Sequence, residues 1–229
     1  MNEELPVVYL ARHGETAWSL TGQHTGMTDL PLTKGGERIA VRLGERLRGL
    51  NPAKVFASPL QRASRTCELA GFGAVAEIDP DLVEWNYGEY EGHTTADIRL
   101  KRPDWQLFRD GCPGGESPQQ VAVRADRVVN RVRAVADDVL LFSSGHFIRV
   151  LAARWIGAEP TVNAAAFMLS TASLSALGYE HGLSRPVIRL WNDTNHVAQA
   201  AKDIQNEGVQ SREDSEGKTP VRKLSAQME

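Results

Sequence analysis

Cysteine is nearly missing from this sequence: Cys67 and Cys112 are the only two in 229 residues. Two thiols cannot build a disulfide framework or a four-thiolate metal site, and they suit a reducing, cytoplasmic setting. Long apolar runs are missing too, and no segment approaches membrane-spanning length. Residues 1–6 are acidic, without a basic region ahead of an apolar run, and do not read as a signal peptide. An excess of one charge is also lacking: 26 Lys and Arg against 29 Asp and Glu leave a net charge of -3. That provides no field for nucleic acid or an anionic membrane, so an anionic ligand needs a local cluster of Arg. The 41% hydrophobic and 24% charged residues are the balance of a globular chain long enough for one buried core.

Residues 7–11 are apolar and β-rich, which predicts a buried strand ending where Arg12-His13-Gly14 begins. A polar loop is expected over 15–31. Thr33 is placed to cap a helix with Ile39, Leu43 and Leu47 on one face. Residues 54–57 predict a second strand, and Ser58-Pro59 predicts a helix through about residue 70 with Pro in its first turn. Residues 76–78 suit a short edge strand. A long excursion over 84–115 holds a short helix near 95–102. Helical spacing returns over 119–136, a strand over 139–142, a helix over 147–156, and a closing strand pair over 173–179 and 186–191. Strands alternating with helices predict an α/β fold, a three-layer sandwich with a mostly parallel sheet and helices on both faces. Residues 1–198 are expected to form one domain. The polar stretch over 199–229 reads as a disordered tail.

Ligands of such sheets sit at the carboxyl ends of strands, and two motifs fall there: Arg12-His13 and Gly145-His146. A neutral imidazole at a strand end is nucleophilic near neutral pH, an adjacent guanidinium binds phosphate oxygens, and Gly permits close backbone approach. The tripeptide alone equally describes a histidine bonded to backbone beside a surface arginine. Arg62 lies one turn into the helix after Ser58-Pro59, with Arg65 nearby, and a helix amino-terminus favours anions. A solvated helix face fits those two residues as well. Cleaving a phosphate ester also needs a proton for the leaving oxygen. Glu84, with Trp85 and Tyr87 as neighbours, is a carboxyl that aromatic burial can keep protonated, whereas Glu89 and Glu91 read as surface carboxylates.

Taken together, these segments resemble the histidine phosphatase superfamily, in the branch of phosphoglycerate mutases and their phosphatase relatives. The resemblance rests on Arg12-His13-Gly14-Glu15-Thr16 with Trp18, Thr25-Gly26, Asp29, Leu32-Thr33 and Gly36. It rests also on Ser58-Pro59 with Arg62-Ala63 and Thr66, and on Leu82, Glu84, Tyr87-Gly88 and Glu91-Gly92. It runs from about residue 7 to about 192. It implies a phosphohistidine on His13, a phosphate clamp of Arg12 and Arg62, and Glu84 as proton donor and later base. Ser19, Thr25 and Gly26 are implied to line the phosphate and substrate pocket, with no metal or organic cofactor. The family also places a second histidine before the Gly that follows the late strand. This chain has Ser144 there, ahead of Gly145 and His146. Ser offers one hydrogen bond and no charge. Either His146 substitutes, or the enzyme is weakened, or Ser144 was introduced to trap a complex.

The stretch 92–119 is short, and Asp110-Gly111-Cys112-Pro113-Gly114-Gly115-Glu116-Ser117 resembles broad-specificity acid phosphatases and sugar-bisphosphate phosphatases. The expected function is hydrolysis of small, sugar-type phosphate esters. The alternatives are a mutase-type phosphotransferase and a weakly active or non-catalytic phosphate-binding relative. Trp85, Trp105, Phe108, Arg109, Glu116 and Phe167 are candidates for shaping the pocket or for packing. No nucleic acid or membrane partner is expected. The oligomeric state stays open, a homodimer among the options.

Overall fold

The computed structural model describes residues 5–159 and 163–197. The expected tail over 199–229 lies outside them. Six strands, β1 (Val8–Arg12), β2 (Lys54–Ala57), β3 (Ala76–Ile78), β4 (Val139–Ser143), β5 (Leu174–Tyr179) and β6 (Pro186–Asp193), form one sheet in the order β3-β2-β4-β1-β5-β6. The pairings β1–β4, β2–β4 and β2–β3 are parallel, while β5 runs antiparallel to both β1 and β6. The sheet is thus mostly parallel, as expected, with an antiparallel pair closing one side.

Residue alternation along the central strands explains the layers. In β4, Val139 and Leu141 pack into one core cluster, and Leu140 and Phe142 into the other. On the first face lie α6 (Pro118–Arg133), through Val121, Val128 and Val132, and α7 (Gly145–Trp155), through Phe147, Ile148 and Leu151. On the second face lie α2 (Lys34–Arg46), through Leu43, and α3 (Gln61–Leu69), through Cys67. Two sheet faces covered by helices leave β4 buried along its whole length, which is why its sequence is an unbroken apolar run. Three shorter helices, α1 (Ala17–Thr21), α4 (Thr95–Lys101) and α5 (Leu107–Asp110), sit in the connections.

Two local expectations fail for identifiable reasons. The 15–31 segment is not all loop: Thr16 and Ser19 form a reciprocal capping box that nucleates α1, and Gly22, at φ 77°, ends it. Nor does Ser58-Pro59 open α3. Ser58 still donates its N–H to Phe142 O at 3.0 Å, extending the sheet, and Leu60 is extended at φ -71°, ψ 130°. The helix therefore starts at Gln61, without a side-chain cap. Thr33, by contrast, caps α2 as expected, accepting the Gly36 N–H at 2.9 Å.

Candidate active site

Parallel pairing sets the site. Arg12 is in register with Ser143 at the ends of β1 and β4, and the His13 N–H donates to Ser143 O at 2.9 Å. The chain therefore leaves these adjacent strands with His13 beside Ser144, at the carboxyl edge where a crevice forms. His13 is 5% exposed. Its Nδ1 lies 2.7 Å from Gly14 O. A carbonyl only accepts, so Nδ1 carries the proton and Nε2 keeps its lone pair. Burial, and then the positive Arg12 and Arg62, drive the His13 pKa well below the ordinary histidine range. The loop is bolted down on two sides. The Gly14 N–H donates to Thr66 Oγ1 at 3.0 Å, and that hydroxyl donates to Arg62 O at 2.6 Å. A Cβ on Gly14 would fall 2.7 Å from Gly36 O, so only glycine permits this approach to α2.

The two arginines are held through their outer nitrogens. Arg12 Nη1 donates to Leu169 O at 2.5 Å. Arg62, fully buried, donates from Nη1 to Thr28 O at 3.0 Å and from Nη2 to Thr25 O and Gly26 O at 3.0 and 2.8 Å. Among the described residues, Nε of Arg12, Nε of Arg62 and Oγ of Ser144 are buried without a hydrogen-bond partner. Buried polar groups are rarely left unpaired, and N–H and O–H groups of this kind pair well with the oxygens of an anion. Gly145 keeps Arg12 in place: a Cβ there would lie 3.0 Å from the guanidinium Cζ and Nε.

Glu84 is buried, but not in the purely aromatic setting expected of it. Its Oε1 accepts the N–H groups of Trp85 at 2.8 Å and Phe147 at 2.9 Å, and its Oε2 accepts that of His146 at 3.0 Å. It thus caps the amino-terminus of α7, where Ser144 holds the cap position without using its side chain. Oε2 is the less engaged oxygen. Glu91 is likewise no surface carboxylate. Its Oε1 accepts the N–H groups of Gly26 and Thr28 at 2.8 and 3.0 Å, fixing the loop whose carbonyls hold Arg62. Thr25 and Gly26 therefore hold Arg62 through their backbone carbonyls. The Ser19 hydroxyl is engaged with Thr16 in the α1 cap.

His146 is fastened to Tyr87, whose hydroxyl lies 2.6 Å from Nδ1. Its ring packs against His24 and Phe108, at centroid distances of 5.9 and 5.4 Å. Burial pushes the His24 pKa down to about 4 and that of His146 well below its usual value. Arg149 lies over Phe108 at 4.5 Å. Of the other pocket candidates, Trp85 and Trp105 are core residues bonded to backbone carbonyls, Arg109 pairs with Asp110 at the surface, Glu116 pairs with Arg124, and Phe167 stacks on Trp191. Thr66, Tyr87 and Glu91 enter the sequence reading only as motif members without a role, Leu169 does not enter it, and all four make contacts within the site. A broad groove lined by Pro6, Val7, Asp138, Tyr179 and Val187 lies at the other end of the strands and shares none of these groups. Among the described residues, no group of three or more His, Cys, Asp or Glu is placed to hold a metal ion, and no helix is long and apolar enough to cross a membrane.

The chain is similar in sequence and fold to known proteins. An acid phosphatase of Mycobacterium tuberculosis is 43% identical over 178 residues, covering 76% of this chain and 87% of that protein. Sedoheptulose 1,7-bisphosphatase of Saccharomyces cerevisiae is 37% identical over 185 residues, covering 66% of this chain and 68% of the yeast enzyme. A solved open reading frame product from Mycobacterium tuberculosis superposes with a TM-score of 0.78 at 41% identity, over 82% of this chain and 98% of its own. A mycobacterial glucosyl-3-phosphoglycerate phosphatase superposes with a TM-score of 0.74 at 28% identity, over 83% and 100%. The family profile described as histidine phosphatase superfamily (branch 1) matches residues 8–194. That span takes in every strand and the whole cluster from Arg12 to Arg149, and the chain belongs to the histidine phosphatase superfamily.

Proposed function

We propose that this protein is a phosphomonoesterase that passes a phosphoryl group from a small phosphate ester to His13 and then to water. The observation that carries the reading is the bond from His13 Nδ1–H to Gly14 O, with the ring in the positive field of the partly buried Arg12 and the buried Arg62. It leaves Nε2 as an unprotonated nucleophile in a field suited to a phosphate. In the first step Nε2 forms a bond to phosphorus while the ester P–O bond breaks. The proton of a Glu84 carboxylic acid goes to the leaving oxygen, and the guanidinium groups of Arg12 and Arg62 offset the charge on the phosphoryl oxygens. In the second step the Glu84 carboxylate takes a proton from water as that water attacks phosphorus, which returns His13 and releases phosphate.

Ser144 offers the phosphoryl group one hydrogen bond where the resemblance to the family implies an imidazole. Losing one charge-assisted contact in such a pocket costs on the order of a hundredfold in rate, so modest turnover is expected. The relatives named acid phosphatase and sedoheptulose 1,7-bisphosphatase support a small, sugar-type ester as substrate. The two free, buried thiols support a reducing, cytoplasmic location.

The test is phosphate release from p-nitrophenyl phosphate and a panel of sugar mono- and bisphosphates. Wild-type turnover that falls by about a thousandfold or more in His13→Ala is expected. Full activity in that variant would overturn the mechanism. Isomer formation from 3-phosphoglycerate without phosphate release would instead favour a mutase.

A further inference from the structure

We infer that the ion pair of the buried Arg124 and the partly buried Glu116 is a positioning pair that sets the proton donor Glu84 against the scissile ester. The inference rests on Glu84 being that donor. Arg124, on α6, is 7% exposed. Its Nε donates to Glu116 Oε1 at 2.9 Å and its Nη2 to Glu116 Oε2 at 2.7 Å. Nη1 donates to Asp81 O and Val83 O at 2.9 and 2.6 Å, and Nη2 to Glu84 O at 3.2 Å. A guanidinium has five N–H groups, and these bonds use all five. Arg124 therefore has nothing left with which to bind a phosphate. Three of its bonds go to the backbone that carries Glu84.

That backbone needs outside support. Residues 83–87 belong to no helix or strand, so no ladder fixes their carbonyls. Glu116 grips the same segment from the other side of Glu84. Its Oε2 accepts the Asn86 N–H at 2.8 Å, its N–H donates to Asn86 O at 2.8 Å, and its carbonyl accepts Trp85 Nε1–H at 2.9 Å. The close approach depends on Gly115, where a Cβ would fall 2.2 Å from Asn86 O. The Arg124 guanidinium also lies 4.5 Å over the Phe147 ring, and the Phe147 N–H is one of the bonds to Glu84 Oε1. The pair thus fixes both the main chain of Glu84 and one donor to its carboxylate. A carboxyl delivers a proton only within hydrogen-bond reach of the leaving oxygen, so sub-ångström drift of this segment selectively removes proton donation.

Leaving-group dependence reads this out. A departing alkoxide needs the proton, whereas a departing dinitrophenolate does not. We would compare kcat/KM for an alkyl phosphate and for 2,4-dinitrophenyl phosphate in wild type, Glu84→Gln, Arg124→Lys and Glu116→Gln. Both pair variants are expected to lose about tenfold or more on the alkyl ester and under about threefold on the aryl ester, the same asymmetry as Glu84→Gln. Equal losses on both esters, or no loss on either, would overturn the positioning role. A single variant that fails to fold is replaced by Glu116→Leu with Arg124→Met, which removes both charges together and is the milder change for a buried pair. Wild type inactive on both esters, or Glu84→Gln without asymmetry, would instead count against the reading of the site.

Discussion

The Tyr87 hydroxyl stands 2.6 Å from Nδ1 of His146. Burial raises the Tyr87 pKa well above its usual value and lowers that of His146 well below its own, so a neutral hydroxyl and a neutral ring share this hydrogen bond. His146 is thereby part of a wall with His24 and Phe108 and brings no positive charge of its own. Tyr87→Phe leaves Nδ1 without its partner. The expected cost is about 1–3 kcal/mol of folding free energy, read from urea unfolding at pH 7.5. An unchanged midpoint would mean that the bond does not hold the ring.

Ser144 makes a contrasting prediction. Its Oγ has no partner among the described residues, so Ser144→Ala should change stability by less than about 0.5 kcal/mol. The same change should weaken competitive inhibition by inorganic phosphate about fivefold, one hydrogen bond's worth. Ser144→His should raise kcat on p-nitrophenyl phosphate by about tenfold or more. A phosphate inhibition constant indifferent to Ser144→Ala would show that the hydroxyl does not face the anion.

Gly145→Ala tests the packing of the clamp. The new Cβ would meet Arg12 Cζ and Nε at 3.0 Å, and Arg12 has little freedom because Nη1 is bonded to Leu169 O. Ala is otherwise favourable in a helix. The variant should remain folded and lose about tenfold or more in kcat/KM, with vanadate binding weakened in parallel. Retained activity would mean that Arg12 can shift without cost to the reaction.

The buried histidines set a pH dependence of stability. His24 has its pKa pushed down to about 4 in the folded chain, against about 6.5 when unfolded. Between those values the unfolded chain binds the extra proton, so stability is full above about pH 6.5 and is lost as pH falls toward 4. His24 alone accounts for about 2 kcal/mol between pH 7.5 and 5. Urea unfolding of wild type and His24→Gln at those two pH values should differ in slope by that amount. The shift at His13 runs in the same direction, so its lone pair stays available below the usual histidine range. Catalytic activity is therefore expected to persist at pH values where the fold is already weaker.

Much of this arrangement can be read along the chain, and the exceptions are physical. β1, β2 and β4 are legible because each is a short apolar run ending in a polar motif, and Thr33 because its cap spacing is local. The start of α3 is not, because the Ser58 N–H is taken by a strand far away in sequence, and Ser-Pro spacing says nothing about that partner. Arg12, His13 and Arg62 announce themselves by chemistry. The support of Arg62 by the carbonyls of Thr25, Gly26 and Thr28 depends on a loop conformation that Glu91 fixes across 65 residues. Glu84 looks like an acid among aromatics when only its sequence neighbours are counted. Its actual partners include the first amides of α7, sixty residues on, which no local pattern encodes.

The central claim is covalent transfer to His13, and trapping the phosphoenzyme tests it most directly. Enzyme mixed with a 32P-labelled phosphate ester is quenched in base within milliseconds, and the label on protein is mapped by peptide mass. The account predicts label on the peptide carrying His13, stable in base and lost in acid, and absent in His13→Ala. Turnover in wild type with no such label, or label of the same kind persisting in His13→Ala, would contradict it.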